Sequence, residues 1–324
     1  MANCPFCLSD GVSETLTVRE MCAGRRVTFH YAICSTCGSV HITDFPKDIS
    51  KYYEGYYSFN QNSMTAGKRT WRGKFLHAYS TLIVRGGLSP LFRNFFRCPS
   101  PWLMKSITPN LQAFLFIGAK SKARILDVGS GNGQFVAMMH RFGYSHAHGI
   151  DPFLDKSEEN EYATQCDIQA ATGTYDVILF NHSLEHVIEI EASVKKCFDL
   201  LASEGVVMIQ IPNIGSHEFK KYKQHWWGLH APYHFAIPSR KGIESMADRC
   251  GFKVTDSICT SRYDHYLYSE DYSHDIADVD INSVRRQLES GTFDAARLLS
   301  LSKIAYSLNK TRDGDWIAYY LMRK

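Results

Sequence analysis

At 324 residues, with 44% hydrophobic and 21% charged side chains, the chain is long enough to bury a full core and has the composition of an ordered globular protein. Its first ten residues lack the basic and apolar regions of a signal peptide, and its most apolar stretch, Leu111 to Ala119, is too short to cross a bilayer, so a cytoplasmic protein is expected. Net charge is only +3 but unevenly spread, and ten cysteines are too few for a disulfide scaffold, although four of them form two C-x-x-C pairs that point to metal or redox chemistry.

Residues 1–45 hold those pairs, Cys4-Pro-Phe-Cys7 and Cys34-Ser-Thr-Cys37, separated by 26 residues that include a strand-like run from Arg26 to Ile33. Two such knuckles suit tetrahedral Zn²⁺, so Cys4, Cys7, Cys34 and Cys37 are the expected ligands of a zinc-binding module. Four thiolates leave no open coordination position, which makes the role structural or docking.

Residues 46–122 read as a basic, aromatic, mainly helical linker or lid that begins with Tyr52, Tyr53, Tyr56 and Tyr57. No acidic residue occurs between Glu54 and Asp127, whereas lysine and arginine recur from Lys68 to Arg124. Such a stretch is either a solvated face packed on the main domain or a docking surface for an anionic partner, through Arg85, Arg93 and Arg97. The partner would be the diphosphate of a nucleotide-sugar or the acidic inner membrane face carrying lipid-linked glycans.

From residue 123 to residue 324 the pattern becomes strand, turn, helix, repeated, which predicts an α/β domain built on a parallel sheet. Strands are expected at Arg124 to Val128, Ala147 to Ile150, Val177 to Phe180, Val206 to Ile211, Phe252 to Ile258 and Trp316 to Met322. Helices are expected at Gln134 to Phe142, stopped by Gly143, and at Arg240 to Cys250, capped by Ser239 and stopped by Gly251. Residues 263–312 read as a helical insertion before the last strand.

The first of these strands turns through Gly129-Ser-Gly131-Asn-Gly133, a loop whose glycines allow positive φ angles and close approach of a ligand to backbone N–H groups. A dinucleotide fingerprint would need a glycine where Gln134 stands. The run Ile125-Leu-Asp-Val-Gly-Ser-Gly-Asn-Gly133 resembles motif I of the class I S-adenosylmethionine-dependent methyltransferases. His148-Gly-Ile-Asp151, Cys166-Asp-Ile168, Tyr175 to Asn181 and Gly314-Asp-Trp-Ile-Ala resemble that family's later motifs, in order. The resemblance implies a Rossmann-like class I methyltransferase sheet and S-adenosylmethionine held by Asp127, Gly129, Ser130, Gly131, Gly133, Asp151, Asp167, Ile168, Asn181 and His182, with Asp151 on the ribose.

In such sheets the ligand lies at the carboxyl ends of the strands, so the residues after Phe180 and Ile211 should line the active site. Five of the fourteen histidines fall there: His182, His186, His225, His230 and His234. Methyl transfer to a hydroxyl is helped by a general base, for which His186 and His234 are the candidates, with Glu185 orienting a base or accepting a proton. Trp226 and Trp227 offer flat surface for a sugar ring, the alternative being that Trp226 simply packs under the lid.

Leu184-Glu-His-Val187 with Pro232-Tyr-His234 resembles methyltransferases of sugar and polysaccharide modification, and the cysteine module is similar to one that precedes such enzymes. The same residues are similar to the metal-dependent 2'-O-methyltransferases of small RNAs, with His182 where their first glutamate stands. That likeness implies a divalent cation held by His182, Glu185, His186 and His234. The expected function is O-methylation of a sugar hydroxyl on a nucleotide-sugar, glycan or lipid-linked oligosaccharide, with nucleic acid not the expected partner. Methylation of RNA or a small metabolite stays open, as does a zinc-ribbon nucleic-acid-binding protein with an inert methyltransferase domain.

Overall fold

The computed structural model describes residues 3–53, 97, 108–262 and 264–324. The chain forms two compact units, a sheet unit (Arg69–Ile211, Glu244–Thr260 and Ile317–Lys324) and a knuckle unit (Met1–Lys68, Pro212–Ile243 and Ser261–Trp316).

The sheet unit is built on β4 (Ile125–Val128), β5 (Ala147–Asp151), β6 (Ala163–Gln165), β7 (Tyr175–Asn181), β8 (Leu201–Pro212), β10 (Phe252–Cys259) and β11 (Trp316–Arg323), in the spatial order β10-β11-β8-β7-β4-β5-β6. Strands β6, β5, β4, β7 and β8 run parallel, with registers such as Leu126↔His148 and Leu126↔Ile178. β10 and β11 pair antiparallel at the edge. All four residues of β4 are buried, as expected of a central strand covered on both faces.

β6 was not anticipated; its three residues carry no periodic signal and become a strand only by pairing with β5, Gly149↔Ala163. Helix α1 (Pro109–Ile117) starts on a Thr108 cap with proline in its first turn and stops at Gly118 in the left-handed region. It is buried almost all round, packing Phe114 and Leu115 into a core with Ile125, Val136, Met139 and Tyr320. Helix α2 (Gln134–Arg141) turns Val136 and Met139 inward and ends on Arg141, a cation that complements the carboxyl end of its dipole; helix α3 (Ile190–Leu200) follows β7.

In the knuckle unit, β1 (Val12–Arg19), β2 (Thr28–Cys34) and β3 (Val40–Ile42) form an antiparallel meander that is completed by β9 (Ala236–Ile237). Its core joins Leu16, Tyr31 and Ile42 to Trp226, Leu229 and Phe235. Helix α4 (His217–Tyr222) follows β8, and helices α6 (Asp264–Ser273), α7 (Val284–Ser290) and α8 (Ala295–Thr311) occupy the expected insertion. Helix α5 (Arg240–Arg249) begins where expected, the Gly242 N–H donating to the Ser239 hydroxyl at 3.0 Å.

Segments 212–243 and 261–316 group with the N-terminal sheet, the first by sharing its core and the second through Tyr266 and through Tyr272 and Ala277 packed on Met21. Most of the basic stretch, including Arg85 and Arg93, lies outside the described residues. Of the three arginines expected to face an anionic partner, Arg97 is described: its guanidinium pairs with Asp256 at 2.5 Å and lies 5.0 Å over the Phe116 ring. Among the described residues no helix is long and apolar enough to cross a membrane.

Candidate active site

In the sheet unit the glycine loop is stitched to β5, both Gly129 and Ser130 N–H groups donating to the Ile150 carbonyl, at 2.8 and 3.1 Å. Gly129 has φ +74°, and a Cβ there would sit 2.5 Å from Ser183 Cβ, so only glycine lets the turn after β7 close over the loop. Gly131 is different: at φ +55°, nothing among the described residues lies within 4 Å of where its Cβ would be, leaving its backbone exposed to a ligand. Gly133, also left-handed, caps α2. The Ser130 hydroxyl lies 3.4 Å from the Gly131 carbonyl.

Asp151 ends β5 and is buried, its two oxygens accepting from Gly131 N at 2.9 Å and Phe153 N at 2.8 Å. These bonds fix the carboxylate while leaving lone pairs for further donors, as a ribose diol would require. Phe153 is 80% exposed beside it and supplies apolar surface suited to a purine base. No sequence signal marked it, because one aromatic residue in a loop has no periodicity. Asp167 is exposed and caps a short turn through the Gln169 N–H at 2.7 Å, whereas Ile168 is buried.

Asp127 and Asn181, expected separately at the cofactor, meet each other: the Asn181 amide donates to Asp127 Oδ1 at 3.1 Å, tying the ends of β4 and β7. Burial pushes the Asp127 carboxyl up to about 7, against the lowering effect of that bond. Asp127 is therefore placed to hold Asn181 rather than to face open space.

After β7 the chain turns sharply at His182, whose φ is +53° and whose N–H donates to the Gln210 carbonyl at 2.9 Å. The Ser183 hydroxyl anchors the turn on the Val128 carbonyl at 2.6 Å. His182 Nδ1 lies 3.4 Å from Glu185 Oε1. Glu185 is buried and His186 half-buried, with ligand atoms within 4.8 Å of each other.

His234 belongs to the knuckle unit. It is buried, and its Nδ1 lies 2.8 Å from the Gly228 carbonyl. A carbonyl only accepts, so Nδ1 carries a proton, and in the neutral form of the ring the lone pair is on Nε2. His230 stacks on it at 5.2 Å. Trp226 packs in the core rather than offering a face to a sugar, whereas Trp227 is half-buried. Trp226 is 1% exposed and donates its indole N–H to Asp315, and Trp227 lies 5.0 Å from His265 in parallel stacking. A buried indole needs an acceptor for its N–H, and Asp315 supplies one.

The four knuckle cysteines converge, Cys4 Sγ to Cys37 Sγ at 3.6 Å and Cys7 Sγ to Cys34 Sγ at 3.5 Å. These are near the edge of about 3.8 Å that a tetrahedron with 2.3 Å Zn–S bonds requires, and far from the ~2.05 Å of a disulfide. The Cys37 thiol is drawn down to about 4, chiefly by the hydrogen bond from Cys4, whose own thiol is raised in return. The residues fit a thiolate-bound metal.

Residues 103–257 match the family described as "Methyltransferase domain". A curated relative, the mitochondrial ubiquinone biosynthesis O-methyltransferase of Bos taurus, is 30% identical over 109 residues, which are 29% of this chain and 30% of the relative. The chain thus spans about a third of the length of the curated relative it matches. Similar solved structures include an O-methyltransferase from a trans-AT PKS multienzyme of Brevibacillus brevis in complex with S-adenosyl-L-homocysteine (14% identity, 75% of this chain and 79% of that one, TM-score 0.43). Another is mycolic acid cyclopropane synthase CmaA1 (17% identity, 75% and 98%, TM-score 0.42). Residues 103–257 thus carry a likeness to a methyltransferase domain, and the seven-stranded sheet has the α/β, Rossmann-like methyltransferase fold.

Proposed function

We propose that this chain transfers the methyl group of S-adenosylmethionine to a hydroxyl oxygen, and that the acceptor is a sugar hydroxyl on a nucleotide-sugar, glycan or lipid-linked oligosaccharide. The observation that supports the O-methylation reading is the His234 hydrogen bond: with Nδ1–H committed to Gly228, Nε2 is the basic nitrogen of the neutral ring. In the reaction the C–S bond of the sulfonium breaks as the C–O bond forms, the hydroxyl proton passes to Nε2, and S-adenosylhomocysteine leaves. His186, braced in the turn with Glu185, is the second candidate base.

Asp151 would hold the ribose and Phe153 the base, with the Gly131 backbone along the cofactor. The cysteine centre would hold Zn²⁺ in a structural role. A divalent cation at Glu185 and His186 is the metal-assisted variant of the same chemistry. Support for a sugar acceptor comes from the likeness of the Leu184 to Val187 segment and of the cysteine module to sugar-modifying methyltransferases. The relative of ubiquinone biosynthesis favours a second acceptor class, the ring hydroxyl of a quinone precursor.

The test is transfer of labelled methyl from S-adenosylmethionine into separate fractions of nucleotide-sugars, polysaccharide, lipid, quinone precursors and RNA, with and without chelator. Label in the sugar-bearing fractions supports the proposal. Label only in quinone precursors or RNA, or in no fraction, rejects it.

A further inference from the structure

The strand β9 is only two residues long, yet it is held from both flanks by the cysteine sheet. Its register on β3 is Val40↔Ile237 and His41↔Ala236, extended by the Ile42 N–H donating to the Phe235 carbonyl at 2.8 Å. On the side after β9, the Ser239 N–H donates to the Ser39 hydroxyl at 2.9 Å, and the Ser239 hydroxyl donates to the carbonyl of Cys37, itself a knuckle cysteine. A Cβ at Gly242 would sit 2.1 Å from Ser39 Oγ, so the start of α5 lies directly against the knuckle loop.

On the side before β9 stands His234. The hydroxyl of Tyr31, a residue fully buried in β2, donates to the His234 carbonyl at 2.9 Å. β2 ends at Cys34, so one strand carries both a knuckle cysteine and the donor that holds the histidine backbone. The Nδ1–H bond to Gly228 forms only if the backbone at 234 is held at the right height over the 228–230 turn. Cys37 belongs to the four-thiol cluster and its carbonyl seats Ser239, so a metal held by that cluster would fix both.

We infer that the cysteine centre is a metal-dependent positioning device for His234, with Tyr31 as its positioning residue. The consequence for catalysis rests on the reading of His234 as the base; the structural coupling does not. Metal bound at Cys4, Cys7, Cys34 and Cys37 pins the Cys37–Ser239 end of the strap, Tyr31 pins the His234 end, and the imidazole between them keeps one tautomer.

Amide hydrogen exchange on the full chain, loaded with Zn²⁺ and then stripped with a chelator, tests the coupling. Stripping should speed exchange in residues 230–242 at least about tenfold while residues 125–128 and 206–211 of the sheet unit stay as protected as before. Unchanged protection in 230–242, or an equal loss in both units, overturns the inference. If stripping unfolds the knuckle unit altogether, Tyr31→Phe decides the matter without removing metal. Filled with Co²⁺, this variant should keep the thiolate-to-metal absorption of the parent. It should lose the single-tautomer ¹⁵N signature of the His234 ring and exchange faster at residues 233–237. An unaltered His234 spectrum overturns the inference. Full turnover in His234→Ala would reject the assignment of the base and leave the exchange result standing, so the two failures are told apart.

Discussion

In the sheet unit the parallel strands β4 to β8 meet partners a few tens of residues away and the glycine loop binds back to the next strand through Ile150, with long-range pairs such as Tyr320 to Ala113 added at β11. In the knuckle unit, the decisive pairs lie far apart, Ser39 with Ser239 and Tyr31 with His234, each separated by about two hundred residues. A long loop closes at a cost that grows only slowly with its length, but something must hold the closed ends together. The sheet unit does this with a broad apolar core of aromatic and aliphatic side chains. The knuckle unit has smaller separate clusters and adds a cysteine centre. Stability in the first should therefore depend on packing, and in the second on a metal.

The largest expected effect breaks that contrast most directly. Purified protein should carry about one Zn²⁺ per chain, and Cys34→Ser should release it, with a loss on the scale of structural zinc binding, about 10 kcal/mol. Limited proteolysis should then cut within 1–45 and 212–243, while calorimetry still finds S-adenosylmethionine binding. Absence of metal in protein with free thiols, or loss of cofactor binding together with metal, would dissolve the distinction between the units.

His234→Ala should lower turnover about 100-fold, the size expected for a general base, with little change in cofactor affinity. His186→Ala should matter less. The reverse ranking would transfer the base to the sheet unit.

Asp151→Ala should weaken S-adenosylmethionine binding by about 1.5 to 3 kcal/mol, the scale of hydrogen bonds to a charged group. Zinc content should not change. Equal affinity in calorimetry would remove Asp151 from the ribose.

The smallest effect concerns pH and belongs to the sheet unit alone. Asp127 has a folded pKa of about 7, raised by burial above its unfolded value near 3.9. A group raised on folding contributes stability fully below its unfolded pKa and loses that contribution as pH rises through the folded one. The Tm of cofactor-free protein should therefore fall by a few degrees between pH 5 and 8 on this account, and Asp127→Asn should flatten the fall. A variant whose Tm falls as steeply as the parent's would refute the assignment.

Several features were readable one stretch at a time. The run from Ile125 to Val128 is apolar but for Asp127 and ends at glycine, which announces a buried strand and a turn. The two C-x-x-C pairs announce by spacing the cluster that their four thiols form, and Ser239 and Gly251 bracket a helix. Such signals are local because backbone dihedrals, side-chain periodicity and capping act over a few residues.

Other features waited for distant surfaces to meet. Trp226 is a core residue rather than a sugar platform because Asp315, 89 residues later, accepts its indole N–H. Ala236 and Ile237 are a strand only because β3 offers an edge, and Asp127 turns to Asn181 because β4 and β7 lie side by side. The His234 tautomer is set by a carbonyl six residues away and a tyrosine 203 residues away. Local chemistry in the chain dictates which faces are apolar and where turns and metal ligands lie, but pairing across long separations depends on which of those faces fit together, and that is decided by packing in three dimensions.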